Sequence, residues 1–245
     1  MLASERTQDA ISEDIQFPPG DLWSDEPPLE SDLHRDQIDL LLRLLKWYWR
    51  DRQDFYATGN LTVYYSPNQK KSEYFRGPDF FVVLGTVKKD RKSWVVWQED
   101  GKYPNVIVEL LSDSTAAVDR GLKKQIYQDT FRTPDYFWFH PDTLEFAGFH
   151  LVDGEYQAIA PTADGRLWSQ QLGLYLGIHD TILRFFTAEG VLMPLPEEDM
   201  QHQAEQEHQR AEQERQRAEQ AEQQLARLQD ALRTQGINPE TLGMD

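Results

Sequence analysis

Two strongly apolar runs, each accompanied by a carboxylate, constrain the fold of this chain more than any other feature. The run "FFVVL" directly follows Asp79, and the run "VIVELL" carries Glu109 in its interior. Short continuous apolar runs are typical of strands that are covered on both faces of a sheet. A carboxylate inside such a strand is costly unless it is paired or bound to a metal ion. Glu109 therefore indicates either a structural ion pair or a functional site.

The spacing of apolar residues along the middle of the chain predicts a mixed α/β (α+β) domain. Leucine-rich periodicity predicts a first helix that begins at Ser31 or Asp32, and we expect this helix to lie on a sheet. The further elements expected from alternation, apolar runs and turn residues are strands at 60–66, 77–85, 93–98 and 105–112, a helix at 113–130, a strand at 134–140, and a hairpin at 144–161 with its turn at Asp153-Gly154.

Outside this domain, which we place at residues 29–196, the composition changes. Residues 1–28 are acidic and lack periodicity, as expected of a flexible arm. In residues 197–235 Glu, Gln, Arg and Ala predominate, and Ala or Leu recurs every seven residues. This weak heptad pattern fits an isolated surface helix and a weak coiled coil in a homodimer equally well. Residues 236–245 form a tail that begins with a helix-ending Gly.

The composition limits the classes of protein to which the chain can belong. The chain has no cysteine, which excludes disulfides and thiolate metal sites and makes the reducing cytoplasm the expected location. No segment approaches the roughly 20 apolar residues of a membrane span, so no membrane association is expected. The net charge of -17 comes mainly from the two ends of the chain. The near-neutral middle neither supports nor excludes a polyanionic substrate.

Two carboxylates on neighbouring strands predict a divalent-metal site. Asp79 and Glu109 offer the oxygen ligands that Mg²⁺ prefers, and the backbone carbonyl of Leu110 is a further candidate ligand. A lysine nearby would polarise the attacked phosphate or assist deprotonation of water. Structural alternatives stay open at this point, because Glu109 could pair with Lys123 or Arg120, and an acid after proline is common at turns.

Three segments of the chain resemble one protein family. "GPDFFVV", "VIVELLSDSTAAVDRGLKKQIYQ" and "TPDYFWFH" resemble the Uma2 (DUF820) family of restriction-endonuclease-like proteins, which belongs to the PD-(D/E)XK nuclease superfamily and is abundant in cyanobacteria. The resemblance covers about residues 30–155. It implies a restriction-endonuclease-like αβββαβ core with a mixed central sheet, Asp79 and Glu109 as metal ligands, and a catalytic helix lysine at Lys123. It also implies Mg²⁺ or Mn²⁺ as cofactor and nucleic acid, in particular DNA, as partner.

The sequence departs from the family pattern at three places. The superfamily's strand lysine falls on Leu111, so the lysine function has to come from the helix. The proline of the family's "LSPST" segment is Asp113, which adds a negative charge near the site. The family's opening acid has no clear match, and Glu30 is the nearest candidate for an outer-sphere metal ligand. We interpret Tyr127 as a packing residue and His34 as a satisfied surface histidine.

Together these features predict an enzyme, a metal-dependent endonuclease in which a divalent ion on Asp79 and Glu109 activates water and Lys123 assists. The alternative is a catalytically degenerate nuclease fold that acts as an interaction module through its acidic arms and its C-terminal helix. Several basic residues flank the Asp79 strand at its turns, where they either contact phosphates or only solubilise the turns: Lys70, Lys71, Arg76, Lys88, Lys89, Arg91 and Lys92.

Overall fold

A computed structural model describes residues 31–65 and 75–234 of the chain. The predicted features that lie outside the described residues are the arm at 1–28, the tail at 236–245, Glu30, Lys70 and Lys71. The chain divides into two units, Met1–Met193 and Pro194–Asp245. Within the described part of the chain, no helix combines the length and the apolar character needed to cross a membrane.

The first helix, α1, spans Asp32–Tyr48, and Ser31, one of the two residues at which the sequence predicts its start, is the N-cap. The Ser31 hydroxyl accepts a hydrogen bond from the backbone N–H of His34, one of the free donors at a helix start. One face of α1 is buried on the central sheet, and its apolar residues are Ile38, Leu41, Leu44 and Leu45.

The central sheet is built from strands in the first two thirds of the chain. The first nine strands of the described residues are β1 Phe55–Gly59, β2 Val63–Tyr64, β3 Phe75–Arg76, β4 Phe80–Leu84, β5 Trp94–Val95, β6 Val106–Leu110, β7 Asp135–Phe139, β8 Phe146–Val152 and β9 Glu155–Ala158. Six of them form one sheet in the spatial order β1-β4-β6-β7-β8-β9. β6 and β7 are parallel and the other neighbours are antiparallel, so the sheet is mixed as predicted.

Between β6 and β7 the chain forms one helical stretch, which we call α2. It consists of α-helical turns at Ala116–Val118 and Lys124–Ile126 that alternate with π-helical turns at Asp119–Lys123 and Tyr127–Phe131. π-Helical turns are rare and occur frequently at functional sites. The succession α1, β1, β4, β6, α2, β7 is the αβββαβ core that the family resemblance implies.

The first core strand differs from the prediction. The chain enters the central sheet at β1, whereas the predicted strand at 60–66 supplies only the two residues of β2 to a small sheet with β3 and β5. Helix α1 approaches β1 so closely that a Cβ on Gly59 would lie 2.2 Å from Ile38 Cγ2. Asn60 follows with a φ of 46°, which turns the chain out of the sheet. The predicted strand at 93–98 is also shorter, because the 3₁₀ helix Val96–Gln98 follows β5 directly.

The remaining elements are the β8–β9 hairpin, a second sheet of three strands and a long C-terminal helix. The predicted β8–β9 hairpin is present, and its turn residues Asp153 and Gly154 both have positive φ. Strands β10 Leu167–Ser169, β11 Leu174–His179 and β12 Ile182–Phe186 form an antiparallel sheet. The Gln37 side chain of α1 exchanges two hydrogen bonds of 2.9 Å with the backbone of Leu183 in β12. The second unit contains the long helix α3, Pro196–Thr234.

Candidate active site

The two predicted acids lie side by side where β4 begins and β6 ends. The antiparallel register pairs Phe80 with Val108, which makes Asp79 the neighbour of Glu109 one rung further. The backbone N–H of Asp79 is 3.4 Å from Glu109 Oε2, and Asp79 Oδ2 accepts a 2.7 Å hydrogen bond from the backbone N–H of Leu110. The sheet therefore brings together residues that are thirty positions apart in sequence.

Helix α2 adds three side chains to this pair. Lys123 Nζ lies 3.1 Å from Glu109 Oε2 and 2.8 Å from Asp119 Oδ1. The Tyr127 hydroxyl donates a 2.6 Å hydrogen bond to Glu109 Oε1. Asp119, Lys123 and Tyr127 are spaced by four residues, and residues four apart share one side of a helix. This face of α2 lies over the end of β6, so both oxygens of Glu109 have a partner from the helix.

The cluster is buried and carries an excess of negative charge. Glu109 and Tyr127 are fully buried, Asp119 is 1% exposed, and the Lys123 side chain is 19% exposed. Asp79 is half-buried. Three carboxylates face one ammonium group, so full ionisation leaves two negative charges uncompensated. Buried like charges cannot all ionise readily, because each disfavours the charged form of the others.

The pKa values follow from burial and from these neighbours. Burial raises the pKa of Glu109 to about 7, with the Asp79 charge adding to the rise and the Lys123 ammonium opposing it. Burial also raises the pKa of Asp79 and of Asp119. For Lys123, burial by itself lowers the pKa, but attraction to Glu109, Asp79 and Asp119 outweighs burial and the pKa rises. Lys123 is therefore a persistent cation, and Glu109 is the acid whose protonation changes near neutral pH.

The structure separates the alternatives that the sequence leaves open for Glu109. Arg120 pairs with the exposed Glu145 through Nε and Oε1 at 3.0 Å, so it is not the partner of Glu109. Lys123 does pair with Glu109, and it belongs to the same cluster as Asp79. The adjacent Lys124 faces elsewhere, with its Nζ 3.5 Å from the centre of the Phe149 ring.

Other predicted residues have different environments. Leu111, at the superfamily's lysine position, is fully buried in the apolar core beneath the site. Asp113 is fully exposed, with its Oδ1 3.6 Å from His140 Nε2. The interpretation of His34 as a surface residue is wrong: it is 7% exposed, because it lies on the buried face of α1 with Gln37 and Ile38. Its Nδ1 lies 2.8 Å from the Ser31 hydroxyl.

The basic loop after β4 lies at the other end of that strand from Asp79. Its most buried member, Arg91, is 4% exposed in its side chain and binds Glu99 through two hydrogen bonds of 2.7 and 2.8 Å. The Arg91 guanidinium also stacks on Tyr56 and Trp94, at 4.6 and 4.8 Å from the ring centres. Arg91 therefore holds the loop in place through contacts within the protein.

Sequence reasoning missed two members of the cluster. The predicted site residues do not include Asp119, and the interpretation of Tyr127 as a packing residue leaves out its hydrogen bond to Glu109. The sequence does contain one signal for these two residues. Asp119, Lys123 and Tyr127 are spaced by four residues, so their polar groups lie on the same side of the helix. The π-helical turns, which shift the helix surface relative to a regular α-helix, have no comparable sequence signal.

The site offers few side-chain ligands for a metal ion. Among residues 31–65 and 75–234, no three His, Asp or Glu side chains are grouped in a way that could hold a metal ion. The third carboxylate of the cluster, Asp119, is engaged by Lys123. Any ion at this site would therefore depend on the two carboxylates of Asp79 and Glu109, together with backbone oxygens and water.

Comparisons with known proteins give the following similarities. A family model for Uma2, described as "Putative restriction endonuclease", matches residues 5–184. Among solved structures, the chain is similar to a protein from Anabaena variabilis ATCC 29413 described as "a putative nuclease belonging to DUF820". The two share 11% sequence identity with a TM-score of 0.44, over 60% of this chain and 76% of that chain. No curated protein matches the sequence.

Proposed function

Because this chain belongs to the Uma2 family, as its motifs predict, we propose that it is a metal-dependent endonuclease that hydrolyses phosphodiester bonds of nucleic acid, with DNA as the expected substrate. The observation that carries this proposal is the convergence of Asp79, Glu109 and Lys123 in one buried contact network. Structural ion pairs usually balance their charges, whereas this network holds more acids than bases.

The chemistry of the donor set fits a hard divalent cation. Asp79 and Glu109 present carboxylate oxygens within one cluster, and Mg²⁺ and Mn²⁺ bind such oxygens while keeping several waters. Full ionisation of the cluster leaves an excess of two negative charges, which is the charge that one divalent cation compensates. We therefore assign the metal-binding role to Asp79 and Glu109.

The backbone of Leu110 offers a third oxygen. Its N–H donates to Asp79 Oδ2, so this edge of Leu110 faces the Asp79 carboxylate. In an extended strand the N–H and C=O of one residue point to the same side, as the hydrogen-bonded pairs of antiparallel ladders require. The Leu110 carbonyl is thus directed towards the same carboxylate, which supports its proposed role as a ligand.

Each side chain of the cluster has a separate task in the proposed reaction. A bound divalent ion supplies Lewis acidity and lowers the pKa of water. Lys123, whose raised pKa keeps it protonated, stabilises negative charge that develops on the phosphate, and it does not act as a base. Asp119 holds the Lys123 ammonium in place, and Tyr127 fixes Glu109 through Oε1 so that Oε2 stays beside Asp79.

The test of the proposal is nicking of supercoiled plasmid DNA by the full chain with Mg²⁺ or Mn²⁺. Glu109→Gln and Lys123→Ala are each expected to lower the rate by about 100-fold or more, because they remove a metal ligand and a charge-stabilising cation. Lys124→Ala is the matched control, since it removes the neighbouring lysine that stacks on Phe149 and is expected to leave the rate nearly unchanged.

Equal nicking by the wild type and by Glu109→Gln would indicate a contaminating nuclease and would contradict the proposal that this chain is an endonuclease. A loss of activity in Lys124→Ala as large as in Lys123→Ala would contradict the separate roles assigned to the two lysines. Circular dichroism spectra of Lys123→Ala and Lys124→Ala that match the wild-type spectrum would show that neither substitution unfolds the protein.

One observation favours the alternative of a non-catalytic interaction module. The Lys123 ammonium already lies between Glu109 and Asp119, so the chain partly compensates its own acids. Calorimetric titration with Mn²⁺ separates the two functions. The enzyme requires binding by the wild type that is lost in Glu109→Gln, whereas a chain that neither binds Mn²⁺ nor nicks DNA would be an interaction module.

A further inference from the structure

Helix α3 is the largest element to which the proposed function assigns no role. It begins at Pro196, whereas the match to the Uma2 family ends at residue 184. It is 39 residues long, and none of its residues is buried. In water, most helices in proteins depend on an apolar face packed against a partner. We therefore expect α3 to present a face that a partner covers.

The sequence of α3 repeats every seven residues. Four successive units read "AEQEHQR", "AEQERQR", "AEQAEQQ" and "LARLQDA" and start at residue 204. The first residue of each unit corresponds to heptad position a, and so does Leu232, which follows the fourth unit. The a positions hold Ala204, Ala211, Ala218, Leu225 and Leu232. The fourth position corresponds to d and holds Glu207, Glu214, Ala221 and Leu228. The a and d positions lie on one side of the helix and form a seam.

The seam is apolar in its second half and open to solvent. From Ala218 to Leu232 every a and d position is Ala or Leu. Leu225 is 57% exposed and Leu228 is 64% exposed. Leucines this exposed on a helix that is otherwise rich in Glu, Gln and Arg form a stripe with a defined register, which single scattered surface leucines do not.

We propose that a second copy of this chain covers the stripe, and that the two α3 helices form a parallel, in-register, two-stranded coiled coil. This pairing places each leucine of the seam opposite the same leucine of the second copy. It also places Arg217 at position g opposite Glu222 of the second copy at position e, and two-fold symmetry creates this ion pair twice. The inference does not depend on whether the first unit cuts nucleic acid.

The same heptads indicate that the association is weak. Glu207 and Glu214 place acids in the seam, and Arg210 lies opposite Arg215 of the second copy. Like charges at these positions oppose pairing in the first half of the helix. The leucine-containing second half therefore supplies most of the stabilisation, and we expect a dissociation constant in the micromolar range.

Sedimentation equilibrium of the full chain tests the pairing. The wild type is expected to show a mass twice the 28.6 kDa of one chain at high protein concentration. Leu225→Glu with Leu228→Glu is expected to be monomeric at the same concentration. The matched control is Gln216→Glu with Gln223→Glu, which adds the same charge at the outward position f and should remain dimeric.

A second variant pair tests the same seam by gain of association. Replacing the two seam acids, as Glu207→Leu with Glu214→Leu, is expected to tighten the dimer at least about tenfold, because leucine is the preferred residue at d in dimers. A monomeric wild type across the concentration range, a trimer, or a dimer that persists in the Leu225→Glu, Leu228→Glu variant would overturn the proposal.

Cysteine cross-linking tests the orientation, and the absence of cysteine from the natural sequence makes the result simple to interpret. Ala221→Cys at position d is expected to form a disulfide dimer upon oxidation, since parallel in-register helices bring the two side chains face to face. Gln223→Cys at position f is the control and should remain reduced. Failure of Ala221→Cys to cross-link, or equal cross-linking of both variants, would overturn the parallel arrangement.

Discussion

Two buried acids on neighbouring strands of the same sheet have opposite surroundings. Asp135 at the start of β7 is 1% exposed, and Glu109 in β6 is fully buried. Asp135 Oδ1 lies 2.8 Å from His150 Nδ1, while its Oδ2 accepts hydrogen bonds from the Ser169 hydroxyl at 2.6 Å and the Gln171 N–H at 2.9 Å. Each oxygen of Asp135 thus has a partner, and no second carboxylate lies among these partners.

Glu109 is surrounded differently. Tyr127 and Lys123 donate to its oxygens, but Asp79 and Asp119 bring two further carboxylates into the same cluster. Asp135 joins the end of the central sheet to the loop after β10, which is a structural task. The crowding of acids around Glu109 disfavours their full ionisation in the folded protein, which is the pattern that the proposed function expects of a metal site. The comparison shows that the partners of a buried acid indicate its role better than its burial does.

The largest effect that distinguishes the two acids is the dependence of stability on pH. The pKa of Glu109 is about 7 in the folded protein and 4.5 in its ordinary state. Between these values the folded state binds more protons than the unfolded state, so stability falls as pH rises from 4.5 to 7. For this shift in pKa, Glu109 contributes about 3 kcal/mol to the fall in the free energy of unfolding. Urea unfolding across this pH range, without divalent ions, measures it.

The control for this prediction is Glu109→Gln. The amide keeps an oxygen that accepts from Tyr127 but cannot ionise, so the variant is expected to lose this part of the pH dependence. Asp79 and Asp119 also have raised pKa values and give a fall of the same sign, which remains in the variant. Identical pH profiles for the two proteins would contradict the assignment of the slope to Glu109.

The next effect is the loss of the structural acid. Asp135→Asn replaces one acceptor oxygen by an NH₂ group, which cannot accept from the Ser169 hydroxyl or the Gln171 N–H in the same geometry. We expect the free energy of unfolding to fall by about 2 kcal/mol, since buried donors lose their partners. The nicking rate per folded molecule should stay unchanged. A specific loss of activity in Asp135→Asn with intact stability would reverse the roles of the two acids.

The sequence predicts the parts of the site that depend on local pattern. Asp79 and Glu109 stand out because each accompanies an apolar run. The mixed central sheet that holds these runs is what the family resemblance implies. Lys123 comes from the family resemblance, and its spacing from Tyr127 is visible in the sequence. The structure places these three residues in one cluster, and their roles as metal ligands and catalytic lysine stay predictions.

The parts that escape prediction depend on contacts between distant segments. Strand β1 is only five residues long and ends at Gly59, whose role follows from the approach of Ile38 on α1 and not from strand propensity. The role of Asp119 follows from the position of α2 over β6. An acid on a solvated helix and an acid above a buried carboxylate have the same local sequence, so only the tertiary structure distinguishes them.

The smallest effect concerns the hydroxyl that orients Glu109. Tyr127→Phe keeps the ring that packs against Phe131 and Tyr136, and it removes the hydrogen bond to Glu109 Oε1. We expect a loss of about 1 kcal/mol in the free energy of unfolding. Because the Tyr127 hydrogen bond lowers the pKa of Glu109, its removal raises this pKa and moves the pH-dependent fall in stability towards higher pH.

Tyr136→Phe is the matched control for this last prediction, because its hydroxyl donates to the backbone carbonyl of Asp119 at 3.0 Å and not to a carboxylate. Its loss of stability should be similar to that of Tyr127→Phe, since each variant removes one buried hydrogen bond. Only Tyr127→Phe should shift the pH profile upwards. If both variants shift the profile equally, the hydrogen bond to Oε1 does not set the protonation of Glu109, and the difference between the two buried acids would then rest on the crowding of carboxylates alone.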